Sequence, residues 1–176
     1  MEEIVSVVGL GYVGLPVACA LAKVGIKTIG YDIDRHRVQE LLEGKDRTAS
    51  VTKEDLSSPN LTLTYSAPDI RQARIHIVAV PTPINISKRP DLGPLKKASK
   101  IVGAFIKPND IVVFESTVYP GATEEIAVPL LQQESGLRFP KDFQIGYSPE
   151  RINPGDKKNT LSPTFSKLFP LVLTKL

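Results

Sequence analysis

The pattern G-x-G-x-x-G at residues 9–14 limits what this chain can fold into more than any other feature of its sequence. It follows residues 4–8, a short β-branched run that predicts a buried strand, and it opens residues 13–24, an apolar segment that predicts a buried helix. A glycine pattern between a strand and a helix is typical of a phosphate-binding loop, and outside that context it has little meaning. The alternative interpretation is a glycine turn that binds nothing.

Each glycine of this loop has a physical reason to be there if the loop binds phosphate. Gly9 permits the tight turn, Gly11 lets a pyrophosphate approach the backbone, and Gly14 lets the helix pack close to the strand. The amides and the dipole at the start of the helix then face the phosphates. The predicted cofactor-binding residues of this loop are Gly9, Gly11, Tyr12, Val13 and Gly14.

Asp32 identifies the dinucleotide. It ends the second predicted strand, residues 27–31, and lies 18 residues after Gly14. A carboxylate at that point accepts hydrogen bonds from the adenosine ribose hydroxyls and repels a 2′-phosphate. We therefore predict that the cofactor is NAD rather than NADP. The alternative is a solvated aspartate.

The rest of the chain alternates between predicted strands and helices. Further strands are predicted at residues 61–65, 75–80, 111–114 and 143–147. Helices are predicted at residues 34–42, with Asp34 as the N-cap, and at residues 67–74, 95–106 and 121–134. Residues 44–60 are predicted to form a loop with at most a short helix. This alternation predicts an α/β fold with a doubly wound parallel six-stranded sheet, the Rossmann fold, in a single domain.

Composition narrows the classes of function. The chain has 176 residues, of which 41% are hydrophobic and 23% charged, which suits one folded domain. Its formal net charge of +3 is too small to indicate a nucleic-acid partner. No run of about 18 apolar residues predicts a membrane span. The start, Met-Glu-Glu, leads directly into a predicted strand and is not typical of a signal peptide.

The single cysteine and the two histidines are the remaining candidates for chemistry. Cys19 lies between alanines in the first predicted helix, where a buried core residue is favoured over a nucleophile. One cysteine cannot form an internal disulfide, which is typical of a reducing compartment, so we expect a cytoplasmic protein. His76 is predicted to pack inside a strand and His36 to lie at the surface. Neither has a ligand-spaced partner, so no metal site is predicted.

Further candidates follow the later strands, at the edge where open parallel sheets bind their ligands. These candidate cofactor contacts are Val80, Pro81, Thr82, Thr117 and Glu150. Thr117 offers a hydroxyl and Glu150 a carboxylate near the expected position of a nicotinamide, which makes both catalytic candidates. The alternatives are that Thr117 only caps the helix that follows it and that Glu150 is only solvated.

Several of these segments resemble the UDP-glucose/GDP-mannose dehydrogenase family. The matching motifs are GLGYVGLP at residues 9–16, Tyr31-Asp32, VPTP at 80–83, STVYPG at 116–121 and SPERINPG at 148–155. The longer runs ESTVYPGATEE and YSPERINPGDK are most similar to the branch that oxidises UDP-N-acetylhexosamines for capsular or surface polysaccharide synthesis.

The resemblance implies an N-terminal Rossmann domain that binds NAD, with Thr117 beside the nicotinamide and Glu150 in an acid/base and cofactor-contacting role. The family oxidises the sugar C6 alcohol to a carboxylate with two NAD, through a thiohemiacetal on a cysteine in a later domain. Cys19 aligns with the phosphate-loop helix and cannot be that cysteine. We therefore expect residues 1–156 to be the NAD-binding domain, without the central and UDP-sugar-binding domains. UDP-sugar is then bound only when a second domain is present, and the uncovered surface favours self-association.

The tail at residues 157–176 does not continue the family pattern, which fades near Thr160. We hypothesise a truncation or a frameshift, and the alternatives are a divergent terminus or a trimmed sequence. Two other functions stay open beside the dehydrogenase fragment. One is a stand-alone NAD-binding module without turnover. The other is a different Rossmann oxidoreductase, such as a short hydroxyacid dehydrogenase, which leaves STVYPG and SPERINPG unexplained.

Overall fold

Six parallel strands form one sheet in a computed structural model that describes residues 3–83, 90–115 and 121–147. The strands are β1 (Ile4–Val8), β2 (Lys27–Tyr31), β3 (Leu61–Thr64), β4 (Ile75–Val78), β5 (Ile111–Phe114) and β6 (Gln144–Tyr147). Their order in the sheet is β3-β2-β1-β4-β5-β6, and every neighbouring pair is parallel. This is the strand order of the dinucleotide-binding fold, so the predicted Rossmann architecture is confirmed.

Helices cover both faces of the sheet. The α-helices are α1 (Gly14–Lys23), α2 (Arg35–Leu42), α3 (Lys53–Leu56), α4 (Gly93–Gly103) and α5 (Val128–Ser135). A 3₁₀ helix spans Ala67–Gln72, and a π-helical turn at Thr123–Ala127 leads into α5. One core cluster, called the α1 cluster below, contains side chains of α1, α2 and α3. The other, the α4 cluster, contains side chains of the 3₁₀ helix, α4 and α5. The helices of the first half of the chain thus pack on one face of the sheet, and those of the second half pack on the other face.

Strand residues supply both clusters by strict alternation. In β1, Val5 and Val7 point into the α1 cluster, whereas Val8 points into the α4 cluster. Ile77 and Val78 of β4 separate in the same way. Because side chains alternate along a strand, a sheet that is covered on both faces needs continuous apolar runs. That requirement explains why the central strands are β-branched at almost every position.

Local signals end the elements close to where the sequence predicts. The Asp34 side chain accepts a hydrogen bond from the His36 amide at 3.0 Å and caps α2, as predicted. The largest difference is in the predicted helix 121–134, which begins as the π-helical turn. Pro129 has no amide hydrogen, so the usual bond to the carbonyl four residues earlier cannot form, and the preceding turn widens. β4 stops at Val78 rather than residue 80, because its partner β1 ends at Val8.

His76 lies fully buried in β4, as predicted, but it takes part in a polar chain that the sequence does not reveal. Ser6 Oγ is 2.8 Å from His76 Nδ1, and His76 Nε2 is 3.3 Å from Asp110 Oδ2. The exposed fractions of Ser6, His76 and Asp110 are 0%, 0% and 2%, so no substrate reaches this serine. These polar contacts among Ser6, His76 and Asp110 link β1, β4 and the start of β5 inside the sheet.

Within the described residues, no helix combines the length and the apolar character needed to cross a membrane.

Candidate cofactor site at the carboxyl edge of the sheet

The glycine loop lies at the carboxyl end of β1, between the ends of β2 and β4. Gly9 has a positive φ of 97°, which glycine adopts without strain, and its amide donates to the Tyr31 carbonyl oxygen at 2.8 Å. A Cβ on Gly9 would come within 2.9 Å of the Ala79 carbonyl oxygen, and a Cβ on Gly14 would overlap the Gly9 carbonyl oxygen. The loop therefore packs tightly against itself and against the end of β4.

Gly11, by contrast, borders open space. A Cβ at this position would have no atom of a described residue within 4 Å, apart from Gly11 itself and its two neighbours in the chain. The N-cap residue of α1 is Val13, whose apolar side chain cannot cap the helix. The first turn of α1, which lies within the described residues, contains no acidic residue. An uncapped helix start carries partial positive charge. The open side of the loop therefore fits an anion such as a pyrophosphate.

Two backbone amides hold the Asp32 carboxylate at the end of β2. Oδ2 accepts a hydrogen bond from the Leu10 amide at 2.7 Å, and Oδ1 accepts one from the Asp34 amide at 2.9 Å. An ionised carboxylate has about four lone-pair sites, so each oxygen can accept a further hydrogen bond. Asp32 is also partly exposed. The Asp32 carboxylate therefore fits a ribose diol, which donates two hydrogen bonds. Its negative charge would repel a phosphate at the same place.

The residues after β4 border the glycine loop on its other side. Val80 Cγ1 lies 3.1 Å from the position that a Cβ on Gly9 would take. Pro81 follows it and is exposed, and Thr82 is partly buried. The predicted contacts Val80, Pro81 and Thr82 thus belong to the same edge as the loop and Asp32.

Glu115 extends this edge beyond β5. Its exposed fraction is 9%, and its amide donates to the Val78 carbonyl oxygen at 2.8 Å. Thr117 and Glu150 lie outside the described residues, as do residues 116–120 and 148–176. Their catalytic and cofactor-binding roles stay predictions.

Arg37 and Asp46 form a buried ion pair behind the glycine loop. Arg37 Nη2 donates to Asp46 Oδ1 at 2.7 Å, and both side chains are 3% exposed. Burial opposes the charge on Asp46, but hydrogen bonds from Thr48, Arg37 and Ser50 outweigh it and hold the pKa of Asp46 well below its usual value. The sequence does not reveal this pair, because an arginine beside Val38 in an amphipathic helix is typical of an exposed position.

An aromatic and cationic pair lies at the end of β3, next to the β2 end of the edge. The guanidinium carbon of Arg35 is 4.6 Å from the centre of the Tyr65 ring. Tyr65 is 47% exposed and Ile33, which follows Asp32, is 66% exposed. Ile33 and Tyr65 follow the ends of β2 and β3, and Arg35 begins α2. These positions are the only signal for them in the sequence.

Cys19 is buried inside α1, as the sequence predicts. Burial, together with the negative charges of Asp55 and Asp46, raises the pKa of its thiol from 9.0 to about 12. A thiol is nucleophilic only as the thiolate, so Cys19 is inert at neutral pH.

The fold and this edge define a class of protein: a Rossmann domain of the kind that binds a dinucleotide across the carboxyl ends of its strands. The chain belongs to the UDP-glucose/GDP-mannose dehydrogenase family, whose NAD-binding domain matches residues 3–163. The cofactor of this domain is accordingly NAD. That family was the one the sequence motifs resembled, so the resemblance is confirmed.

Comparisons with individual proteins agree with the family. The chain is 54% identical over 160 residues to Protein CapL of Staphylococcus aureus, covering 91% of this chain and 38% of CapL. It is 52% identical over 159 residues to the UDP-N-acetyl-D-glucosamine 6-dehydrogenase of Pseudomonas aeruginosa, covering 90% of this chain and 37% of that protein. The solved UDP-D-ManNAc dehydrogenase of Pyrococcus horikoshii superimposes with a TM-score of 0.80 at 34% identity, over 87% of this chain and 37% of that one. The chain therefore spans less than two-fifths of the length of these relatives.

Proposed function

We propose that this chain is the NAD-binding part of a UDP-N-acetylhexosamine 6-dehydrogenase, which oxidises the C6 alcohol of the sugar to the uronate. The observation that carries the proposal is the 52% identity to the Pseudomonas aeruginosa UDP-N-acetyl-D-glucosamine 6-dehydrogenase over 159 residues, which is 90% of this chain. A second relative, the UDP-N-acetyl-D-glucosamine 6-dehydrogenase of Salmonella typhi, is 48% identical over 162 residues.

In this proposal the chain's own residues bind and orient the cofactor. Gly11 and the start of α1 receive the pyrophosphate, and Asp32 accepts hydrogen bonds from the adenosine ribose. Val80, Pro81 and Thr82 border the nicotinamide side of the edge, with Thr117 beside the ring and Glu150 as acid/base. NAD, when bound, supplies the hydride acceptor for the oxidation.

The proposal also assigns the nucleophile to residues other than these 176. The family mechanism captures the aldehyde as a thiohemiacetal on a cysteine, and covalent capture of this kind needs a thiolate. Cys19, the single cysteine of the sequence, is buried with a pKa of about 12. The thiol must therefore come from a further domain or from another chain. The same observation favours a second candidate function, an NAD-binding module that has no turnover by itself.

UDP-sugar binding, a cytoplasmic location and a role in capsular or surface polysaccharide synthesis belong to the same proposal. Tyr12, Tyr65 and Tyr147 are 46%, 47% and 49% exposed, and each lies at or just after the carboxyl end of a strand. Exposed aromatic rings at one edge support the expectation that this surface is covered by a second domain or a second copy. Sedimentation velocity of the chain with and without NAD checks the self-association.

A domain exchange tests the function. Residues 1–156 replace the matching segment of the Pseudomonas aeruginosa relative, and NADH is followed with UDP-GlcNAc or UDP-GalNAc as substrate. We expect two NADH per sugar oxidised, and no NADH when the exchanged segment carries Gly11→Val. A folded chimera that binds NAD but oxidises neither sugar would contradict the dehydrogenase and favour the binding module.

A further inference from the structure

The backbone of Leu10, in the middle of the glycine loop, is fixed from two sides. Its amide donates to Asp32 Oδ2 at 2.7 Å, and its carbonyl oxygen accepts a hydrogen bond from Arg37 Nε at 2.9 Å. The Leu10 side chain is fully buried in the α1 cluster. With both backbone polar groups and the side chain engaged, this residue has one orientation.

The bond from Arg37 also determines the orientation of the next amide. Leu10 and Gly11 share one planar trans peptide unit, in which the C=O and the N–H point in opposite directions. The carbonyl faces the buried guanidinium, so the Gly11 N–H points away from Arg37. Gly11 is the loop glycine that borders open space. Arg37 thus directs a backbone donor of the phosphate loop without itself lying on the open side.

Asp46 holds Arg37 in place. Its Oδ1 accepts from Arg37 Nη2 at 2.7 Å and from the Thr48 hydroxyl at 2.7 Å. Its Oδ2 accepts from the amides of Ser50 and Val51 at 2.7 Å and 3.2 Å. A buried guanidinium with a charge-assisted partner of this kind has little freedom to change rotamer.

We propose that Arg37 and Asp46 are positioning residues for NAD: Asp46 fixes the Arg37 guanidinium, and Arg37 fixes the Leu10–Gly11 peptide so that the Gly11 amide is presented to the pyrophosphate. The inference rests on the NAD site described above. If Arg37 and Asp46 have this role, phosphate binding depends on the carboxylate of Asp46, which lies in the loop after α2, 36 residues beyond Leu10 in the sequence.

The test compares a ligand that has the pyrophosphate with one that lacks it. ADP-ribose and adenosine are titrated by calorimetry or by amide chemical shifts against the full chain and Asp46→Asn, well below the unfolding temperature. We expect the affinity for ADP-ribose to fall about tenfold, the loss of one hydrogen bond to a charged group, while the affinity for adenosine changes less than about twofold. The matched control is Glu43→Gln, the same change at a carboxylate whose partner is the exposed Lys45, and it should alter neither affinity.

The two affinities decide whether Arg37 and Asp46 position the phosphate loop. Equal losses for the two ligands, or no loss for ADP-ribose, overturn the positioning role. If Asp46→Asn does not fold, Thr48→Val removes one donor to Asp46 and keeps the ion pair; it should lower only the ADP-ribose affinity, by about threefold, and an unchanged affinity overturns the proposal. If the unmodified chain binds neither NAD nor ADP-ribose, the NAD site itself fails, which is a different result from a site that binds and ignores Asp46.

Discussion

A side chain at Gly11 would enter open space, whereas a side chain at Gly14 would overlap the backbone of Gly9. The two glycines of one motif are therefore required for different reasons. We expect Gly11→Val to leave the free energy of unfolding nearly unchanged and to abolish NAD binding, because the side chain occupies the space of the pyrophosphate. Gly14→Ala should cost about 2–3 kcal/mol of stability, because the added carbon forces the loop and α1 apart.

Urea unfolding and NAD titration of both variants check this pair of expectations. Gly11→Ala is the graded control, and its affinity should lie between those of the unmodified chain and Gly11→Val. A Gly11→Val chain that binds NAD normally would place the pyrophosphate elsewhere.

Asp32 is expected to choose between NAD and NADP. Its carboxylate already accepts two backbone hydrogen bonds and has positions left for a ribose diol, whereas a 2′-phosphate would meet its negative charge. The unmodified chain should bind NAD at least about tenfold more tightly than NADP. Asp32→Ala should weaken NAD binding and narrow the preference, and it leaves the Leu10 and Asp34 amides without their acceptor. Isothermal titration with both dinucleotides measures the ratio, and equal affinities in the unmodified chain refute the assignment.

The Cys19 thiol should make the protein sensitive to alkaline pH. Its pKa is about 12 in the folded chain and near 9.0 when unfolded, so only the unfolded chain loses the proton between these values. Stability that the neutral thiol contributes is complete below pH 9 and is lost as pH rises towards 12, by at most about 1.4 kcal/mol per pH unit. The stability difference between the unmodified chain and Cys19→Ala should therefore shrink from pH 8 to pH 10 in urea titrations. A constant difference would contradict the buried thiol.

At the scale of elements, the loop between α2 and α3 is organised around the Asp46 carboxylate, which should make it sensitive to acid. Because the pKa of Asp46 is lowered in the folded chain, its contribution is present above about pH 3.8 and is lost as pH falls further. We expect Asp46→Asn to cost about 3 kcal/mol at pH 6, the cost of leaving Arg37 buried without its counter-charge, and less at pH 3. Urea unfolding at pH 6, 4 and 3 measures this, with the exposed Glu54→Gln as the control. A cost that does not fall with pH would mean that Asp46 is not ionised in the folded protein.

The sequence predicts elements well where one local rule decides them. β1, β2 and β5 have their predicted bounds. β1 and β5 are short, mostly apolar runs, and β2 lies between the glycine that ends the first helix and Asp32. What the sequence does not reveal are contacts between residues whose local pattern is ordinary. The Arg37–Asp46 pair is 9 residues apart, His76 and Asp110 are 34 apart, and Ser6 and His76 are 70 apart. Periodicity describes which face a residue occupies and contains no information about its partner across the fold.

The same limit applies to the site. The glycine loop and Asp32 could be predicted because their spacing is itself the motif. Arg37 could not, because its role depends on the Leu10 carbonyl, which is present in any sequence. Thr117 and Glu150 are predicted from their places after the later strands and from motif resemblance, and they lie outside the described residues.

At the scale of the whole molecule, we expect this chain alone not to oxidise any UDP-sugar. The four-electron oxidation needs a thiolate at the aldehyde carbon, and Cys19 is a buried thiol in α1. It also needs a second wall that excludes water and orients C6 against the nicotinamide. NADH absorbance with UDP-GlcNAc or UDP-GalNAc measures this. Steady NADH production by the purified chain that is lost in Glu150→Gln would refute the expectation and establish a complete enzyme.

The order of the strands also has a consequence for how the chain folds. β1 is made first, yet it lies in the middle of the sheet, and one of its edges stays unpaired until β4 has been synthesised, about 70 residues later. The nascent chain can therefore complete β1, β2 and β3 as a three-stranded unit, and that unit has an exposed apolar edge. The Ser6–His76 hydrogen bond joins β1 to β4 across this seam. The pairing of β1 with β4 is the long-range step of folding. The buried hydrogen bond between Ser6 and His76 stabilises only the strand register that places these two residues opposite each other.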